Sequence, residues 1–263
     1  AIQAAAAAAS GDPVRLYACG GDGTLNEVIR GAVSYSNASV TVIPTGSGND
    51  FIRCFSDPDA FRDLKRLRCC DEASFDLIRA GSDWAINVCS IGFDARVGTE
   101  ISRYKRLPFL TGSGAYVLSI LVNVLRGIHA PYAVELDGRR FEAPLTMICV
   151  CNGRYYGGGF NPVPDAEPDD GFLDVLLVAP VSRLTVATVI GHYKRGEYRR
   201  FPHLIRHFQC QSVRIWCQAP SSVNLDGELR TQKEVCFQLV PQKIRFFYPS
   251  GLTYRAKHPL KQA

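Results

Sequence analysis

The chain has 263 residues, 46% of them hydrophobic and 21% charged, with a formal net charge of +5 at pH 7. That length holds two compact domains or one large one, each with its own core, and the composition excludes global disorder. The modest positive excess suits anionic ligands such as nucleotide phosphates or acidic lipid head groups, and no recognised nucleic-acid-binding motif accompanies it.

In chain order, Ala1-Ile2-Gln3 and the alanines up to Ala9 predict the second half of a helix, stopped by Ser10-Gly11-Asp12-Pro13 with the glycine at the C-cap. Met147 is the single methionine, so an upstream part of the protein is expected. Val14 to Cys19 reads as a strand, Leu25 to Val33 as a helix and Val40 to Ile43 as a second strand. A helical crossover between two strands argues for parallel pairing in an α/β layer. After about Asp71 the texture changes. Strand-like runs follow at Ala85–Val88, Tyr132–Leu136, Leu145–Val150, Leu173–Val178, Val213–Cys217 and Val235–Val240, and Arg245–Tyr248 adds a further one. Turn signals such as Asp137-Gly138, Asp170-Gly171 and Asp226-Gly227 separate most of them, the pattern of a mostly antiparallel β domain. Helices are expected over Gly112–Arg126 and Arg183–Tyr193. Leu107 to Leu125 carries no charge, but Thr111, Gly112, Ser113, Gly114, Ser119 and Asn123 interrupt it, so it reads as a core helix and not a membrane span.

The ten cysteines are scattered without a Cys-x-x-Cys pair, and Cys19, Cys89, Cys149, Cys151, Cys217 and Cys236 sit in apolar stretches as small hydrophobes. A reducing compartment follows. His203 and His207 have the spacing of a helical metal pair but no acidic neighbour, which argues against a site. Basic residues cluster at Arg103, Lys105 and Arg106, and again at Lys194, Arg195, Arg199 and Arg200. They read first as solvated faces and second as contacts to an anionic membrane.

The most informative stretch is Gly20-Gly21-Asp22-Gly23-Thr24-Leu25-Asn26-Glu27. Glycines at the end of a strand let the backbone approach a ligand, and Thr24 with Glu27 has the spacing of a capping box, so a helix is predicted to start there. Free N–H groups at such a start attract phosphate. Asp22 among those donors makes sense only with a cation between carboxylate and phosphate, so the loop predicts a metal–phosphate complex. Pro44-Thr45-Gly46-Ser47-Gly48-Asn49-Asp50-Phe51 repeats the design after the second strand. On parallel strands both loops leave the same C-terminal edge. Walker, dinucleotide-fingerprint and protein-kinase catalytic motifs are absent.

Together these two motifs resemble the nucleotide site of the diacylglycerol kinase family, which is related to sphingosine kinases and NAD kinases. The likeness continues through Asn87 to Ala95, Cys151 to Gly159, Pro164 to Val175 and Asn224-Leu225-Asp226-Gly227-Glu228. The family's opening strand and Asn-Pro-x-Ser-Gly loop do not occur in this sequence. The resemblance implies a parallel-sheet α/β nucleotide domain over residues 1–72, completed by 249–263, followed by a mostly antiparallel β-sandwich lipid domain over 73–248. It implies that Gly20, Gly21, Asp22, Gly23, Thr24, Asn26, Thr45, Gly46, Ser47, Gly48, Asn49 and Asp50 bind ATP, with Asp22 on Mg²⁺. Asp226 would be the catalytic base and Glu228 its support, while Glu167, Asp170 and the Phe172 carbonyl would hold a structural Mg²⁺. The implied activity is ATP-dependent phosphorylation of a lipid hydroxyl, such as diacylglycerol to phosphatidic acid. The alternatives are a sphingoid base, a polyprenol or NAD as acceptor, or a remnant that binds without turnover. The implied setting is the inner face of the membrane, reached from the cytoplasm, with an anionic lipid surface as partner and a homodimer allowed. Read alone, each Asp-Gly is only a hairpin turn.

Overall fold

A computed structural model of the chain describes residues 1–92 and 129–255. The Phe93-Asp94-Ala95 stretch, the Arg103–Arg106 cluster, the uncharged stretch Leu107–Leu125 and the expected helix over Gly112–Arg126 lie outside the described residues.

The first part is built as the apolar pattern requires. α1 (Ile2–Ala9) is followed by β1 (Val14–Gly20), α2 (Asp22–Ala32) and β2 (Ala38–Pro44), and β1 and β2 pair in parallel from Val14↔Ala38 to Gly20↔Pro44. Leu25, Val28, Ile29 and Ala32 form the buried stripe of α2 and pack with Val40 and Val42 of β2. The expected glycine cap of α1 is not formed: Ser10 ends the helix in a right-handed conformation and Gly11 has no positive φ. Asn37 explains this, because its Nδ2 takes the carbonyls of Ala9, Gly11 and Asp12 at 3.0, 2.7 and 3.1 Å. The carbonyls that a left-handed glycine would expose to the chain are already satisfied.

The remainder is β-rich: β3 (Cys70–Ala80), β4 (Asp83–Ala85), β5 (Val88–Gly92), β6 (Ala130–Leu136), β7 (Arg139–Leu145), β8 (Met147–Cys151), β9 (Leu173–Val178), β10 (Ile205–Cys210), β11 (Ser212–Leu225) and β12 (Glu228–Pro249), with α3 (Arg183–Lys194) between β9 and β10. The pairings run β1-β2-β12-β11-β5-β8-β9-β10, with β3–β4 and β6–β7 branching from β12 and β11. Outside β1–β2 and the β2–β12 contact, every pairing of these strands is antiparallel. The fold is thus an α/β unit joined to an antiparallel β-sandwich. The sandwich core takes Ile148 and Val150 of β8 and Leu173, Val175 and Leu177 of β9 on one side. Met147, Cys149, Cys151, Leu176 and Val178 face the other way, where Tyr156, Phe160 and Tyr193 cover them. That double burial is why both strands are apolar at every position but Asp174.

β12 was expected as two strands and is one strand of 22 residues. Its first half pairs with β11; from Gln238 on it pairs with β3, with a register shift between Val240 and Ile244, and near its end it also pairs in parallel with β2. Gln242 sits at the shift with φ 48° and donates its N–H to Asp76 at 2.7 Å. Through Ile244, Phe246 and Tyr248 the strand therefore joins the first core, where Phe51, Phe55, Phe61, Phe75 and Tyr254 surround it. Phe51 stands edge-on to Phe246 at 5.4 Å and to Phe75 at 5.7 Å, so the floor beneath residues 45–51 is a packed aromatic cluster.

Among the described residues no helix is long and apolar enough to cross a membrane. All ten cysteines are free thiols, and burial pushes Cys54 and Cys210 up to about 12, which keeps them inert. Cys19 is exposed on β1, against the expectation that it packs inside. β10 begins at Ile205, so His203 and His207 share no helix, and His207 Nε2 instead meets Asp174 Oδ1 at 2.6 Å. Arg195 and Arg200 pair with Glu197 and Arg199 pairs with Asp165, and the three arginines are more than half exposed.

Candidate active site

The two glycine loops touch. A Cβ on Gly46 would lie 2.4 Å from the Gly21 Cα, so the two main chains approach as only glycine allows. Thr45 and Gly46 donate their N–H groups to the Gly20 carbonyl at 3.0 and 3.2 Å, which closes the junction. The capping box is not formed. α2 starts at Asp22 with Gly21 as N-cap, and Thr24 lies inside the first turn, where its Oγ1 would stand 2.2 Å from a Cβ on Gly20. The helix therefore begins three residues earlier than expected, at Asp22 and not Leu25, with Thr24 folded over a bare Gly20. The first intrahelical bond is Leu25 N–H to Gly21 O, so the N–H groups of Asp22, Gly23 and Thr24 precede it. A Cβ on Gly23 would meet nothing within 4 Å, which leaves this end open to a ligand.

Asp22 has a second task besides the one expected of it. Its Oδ1 accepts the N–H groups of Asp50 and Phe51 at 2.6 and 3.1 Å, so the first loop caps the second. Gly48 leaves room for the other oxygen, Oδ2, since a Cβ there would stand 2.8 Å from it. Asn49, held at φ 50°, donates Nδ2 to Gly46 O at 2.7 Å, while its Oδ1 is buried without a hydrogen bond. Asp50 is 4% exposed. Its Oδ2 accepts Gly158 N–H at 2.7 Å. Its Oδ1 lies 3.2 Å from Arg53 Nε as an ion pair, without the alignment of a hydrogen bond. Burial, with the Asp22 charge adding to it, pushes the Asp50 carboxyl up to about 6 against the Gly158 N–H and Arg53. Asn49 Oδ1 is thus buried without a hydrogen bond and Asp50 Oδ1 has only the Arg53 ion pair; with the Asp22 carboxylate they make an all-oxygen set, the donor type that fits Mg²⁺. Thr45 and Ser47 are exposed on the rim.

The sandwich reaches this edge at two places. Gly157, Gly158 and Gly159 have φ of 60°, 79° and 110°, a left-handed run closed by paired bonds between Tyr156 and Phe160. It delivers the Gly158 N–H to Asp50 and brings Gly159 against the Arg53 guanidinium. The Asp226-Gly227 hairpin between β11 and β12 is the second place. Asp226 Oδ1 accepts from Val88 N–H at 2.8 Å and Asn87 N–H at 3.1 Å, and Oδ2 from Ile86 N–H at 2.7 Å and Asn26 Nδ2 at 3.1 Å. Three successive amides turned onto one carboxylate explain why the expected strand Ala85–Val88 is split into β4 and β5. Burial pushes Asp226 up to about 6 despite these donors.

Two expected residues face elsewhere. Asn26 is 2% exposed and turns inward to Asp226 and the Trp84 carbonyl, away from the open end of the cradle. Glu228 does not meet Asp226; both its oxygens lie 3.0 Å from Arg30 Nη1, and Oε2 also takes Arg230 Nη2 at 2.8 Å. The expected structural metal ligands are likewise engaged. Glu167 pairs with Arg255 at 2.7 Å, and Asp170 Oδ1 accepts the Phe172 N–H at 3.0 Å. Among the described residues no three His, Cys, Asp or Glu side chains are grouped to hold a metal ion. Asp170 is pushed up to about 7 by burial, with Asp174, Asp76 and Glu167 adding to it. Arg30, Arg53 and Asp83 were not singled out in the sequence. The signal for Arg53 was its place two residues past the second glycine loop; nothing local pointed to the partners of Arg30 or Asp83.

Comparison with known proteins identifies the family and the fold. The chain matches the family model described as YegS C-terminal NAD kinase beta sandwich-like domain over residues 87–248, and the diacylglycerol kinase catalytic domain over residues 1–80. It is 28% identical over 242 residues to a Shewanella frigidimarina protein named "Probable lipid kinase YegS-like", covering 89% of this chain and 76% of that one. Its fold is similar to the crystal structure of a diacylglycerol kinase from Bacillus anthracis str. Sterne, with TM-score 0.68 at 20% identity, covering 95% of this chain and 81% of that one.

Proposed function

The chain belongs to the family of the YegS C-terminal NAD kinase beta sandwich-like domain, here preceded by a diacylglycerol kinase catalytic domain and made up of lipid kinases, and from that premise we propose that it transfers the γ-phosphoryl group of ATP to a lipid hydroxyl, diacylglycerol being the acceptor favoured. The observation that carries this reading is the backbone-to-backbone junction of the two glycine loops on adjacent parallel strands, with Asp226 reaching α2 from the sandwich. Phosphoryl transfer asks the protein for positioning and charge stabilisation more than for covalent chemistry.

In this reading the ATP phosphates lie on the first-turn N–H groups of α2, at the positive end of its dipole. Asp22, with Asn49 and Asp50 beside it, would hold Mg²⁺, which when bound neutralises the phosphate charge. Arg53 adds a fixed cation at the same edge. Asp226 takes the proton of the acceptor hydroxyl, and the lone pair it uses is the one Asn26 occupies at 3.1 Å, the single side-chain donor among its four partners. A carboxyl near 6 is ionised at neutral pH and more basic than an ordinary aspartate, which suits a general base. An anionic membrane surface would present the acceptor lipid.

The test is transfer of label from γ-labelled ATP in mixed micelles that contain diacylglycerol, a sphingoid base or a polyprenol, with soluble NAD as a further acceptor. Labelled product with diacylglycerol, dependent on Mg²⁺, supports the reading. Labelled NAD alone, or nucleotide binding without transfer to any acceptor, rejects it.

A further inference from the structure

α2 grips the Asp226–Glu228 hairpin at two points one helical turn apart. Asn26 holds Asp226, and Arg30, four residues on and on the same face, holds Glu228 with both carboxylate oxygens at 3.0 Å from Nη1. The other arm of the Arg30 guanidinium, Nη2, reaches Asp83 Oδ1 of β4 at 2.8 Å. Arg230 closes the ring from β12, with Nη2 at 2.8 Å from Glu228 and Nε at 3.6 Å from Asp83. Two cations and two anions thus form a neutral, half-buried ring. It joins the helix that opens the phosphate cradle, the strand leading into the Ile86–Val88 turn, and the hairpin that carries Asp226. The side chains of Arg30 and Asp83 are each 20% exposed, so the ring is screened far less than a surface pair. A planar fork that serves two carboxylates at once fixes direction as well as charge, which an ammonium on a flexible stem cannot do.

We infer that Arg30, with Asp83 as its second anchor, is a positioning residue that holds the Asp226-Gly227-Glu228 hairpin against the helix of the phosphate cradle. It touches no substrate; it acts through Glu228 on where Asp226 stands. The kinetic consequence rests on the kinase reading, whereas the structural consequence does not, and the two are separable.

The experiment compares the full chain with Arg30→Ala, Arg30→Lys and Asp83→Asn, and with Arg62→Ala as a control that breaks an exposed pair to Asp59. Amide exchange is followed at Ile86, Asn87 and Val88, whose N–H groups Asp226 accepts, and at β9 as a reference. In Arg30→Ala, exchange at residues 86–88 should quicken about tenfold or more while β9 keeps its rate. Turnover with Mg-ATP and diacylglycerol should fall about tenfold or more in kcat with KM for ATP within about threefold, the mark of lost alignment and not of lost binding. Arg30→Lys and Asp83→Asn should lie between, and Arg62→Ala should match the parent. Exchange at 86–88 unchanged in Arg30→Ala, or quickened equally in β9, overturns the inference. Should Arg30→Ala not fold, the same comparison is read from Arg30→Lys. A parent protein that labels no lipid overturns the kinase reading alone, since the exchange rates still decide the role of Arg30.

Discussion

Two Asp-Gly hairpins in this chain share one local design and differ in where the carboxylate points. Asp137-Gly138 joins β6 to β7 with φ of 44° and 82°, and Asp226-Gly227 joins β11 to β12 with φ of 49° and 94°. Both are two-residue turns whose left-handed pair matches the twist of the strands. Both aspartates also accept backbone N–H groups at the junction of two other strands, Asp137 from Gln211 and Ser212, Asp226 from Ile86, Asn87 and Val88. The first is exposed and its partners end there. The second is turned inward, is raised in pKa by burial, and meets Asn26 of α2, the helix that follows the first glycine loop. Turn chemistry places an aspartate in each hairpin; only the tertiary neighbourhood makes one of them a candidate base.

The largest difference between the two should come from Asp→Asn at each. Asp226→Asn should reduce kcat by about 10²–10⁴-fold while Mg-ATP still binds by calorimetry, the range lost with a general base. The same change sets an amide NH₂ against backbone N–H groups, at a cost of about 1–3 kcal/mol in denaturant unfolding. Asp137→Asn should leave kcat within about twofold, because that carboxylate has no link to the loops. Equal turnover in the two variants would remove the distinction.

The second contrast is between glycines of the loops. Gly46→Ala drives a methyl into the Gly21 Cα, whereas Gly23→Ala places it in open space. The former should raise KM for ATP about tenfold or more and the latter much less, as steady-state kinetics at saturating lipid will show.

A third contrast is in pH. The ionised Asp226 that can take a proton accumulates as pH rises through about 6, so kcat should climb through that window. The stability effect has the opposite sense. With a folded value of about 6 above the ordinary 3.8, the folded chain binds this proton more readily than the unfolded one. The contribution is therefore full below about 4 and is lost as pH rises through about 6. Unfolding in denaturant at pH 5 and pH 8 should show this slope in the parent and in Asp137→Asn, and a smaller one in Asp226→Asn.

The smallest effect is the turn itself. Asp137→Ala removes the carboxylate that accepts two backbone N–H groups at an exposed site and should lower Tm by about 2–4 °C, with kinetics unchanged.

What could be read from the sequence follows the range of the interactions. β1, α2 and β2 were evident because burial stripes and glycine punctuation are local. α2 nevertheless starts at Asp22, since Thr24 is used over Gly20 and not as a cap. β3, β7 and β10 escaped notice because their outer faces are charged or polar, as in Arg139-Arg140-Phe141-Glu142. Ala85–Val88 looked continuous, and a carboxylate about 140 residues away splits it. Glu167 was matched to a metal, and Arg255, 88 residues on, pairs with it. Likewise Arg30 and Glu228 are 198 residues apart, a separation at which no periodicity or spacing rule gives warning. The glycine loops were readable because glycine at close approach is a local demand; the ring of Arg30, Glu228, Arg230 and Asp83 was not, because it is made only by folding.

The central claim is that the two glycine loops form a single nucleotide site, and amide exchange of the parent protein along a Mg-ATP titration tests it most directly. The account predicts that residues 20–26 and 45–51 slow together, with one common midpoint. Protection of one loop alone, or of neither while another surface is protected, would contradict it.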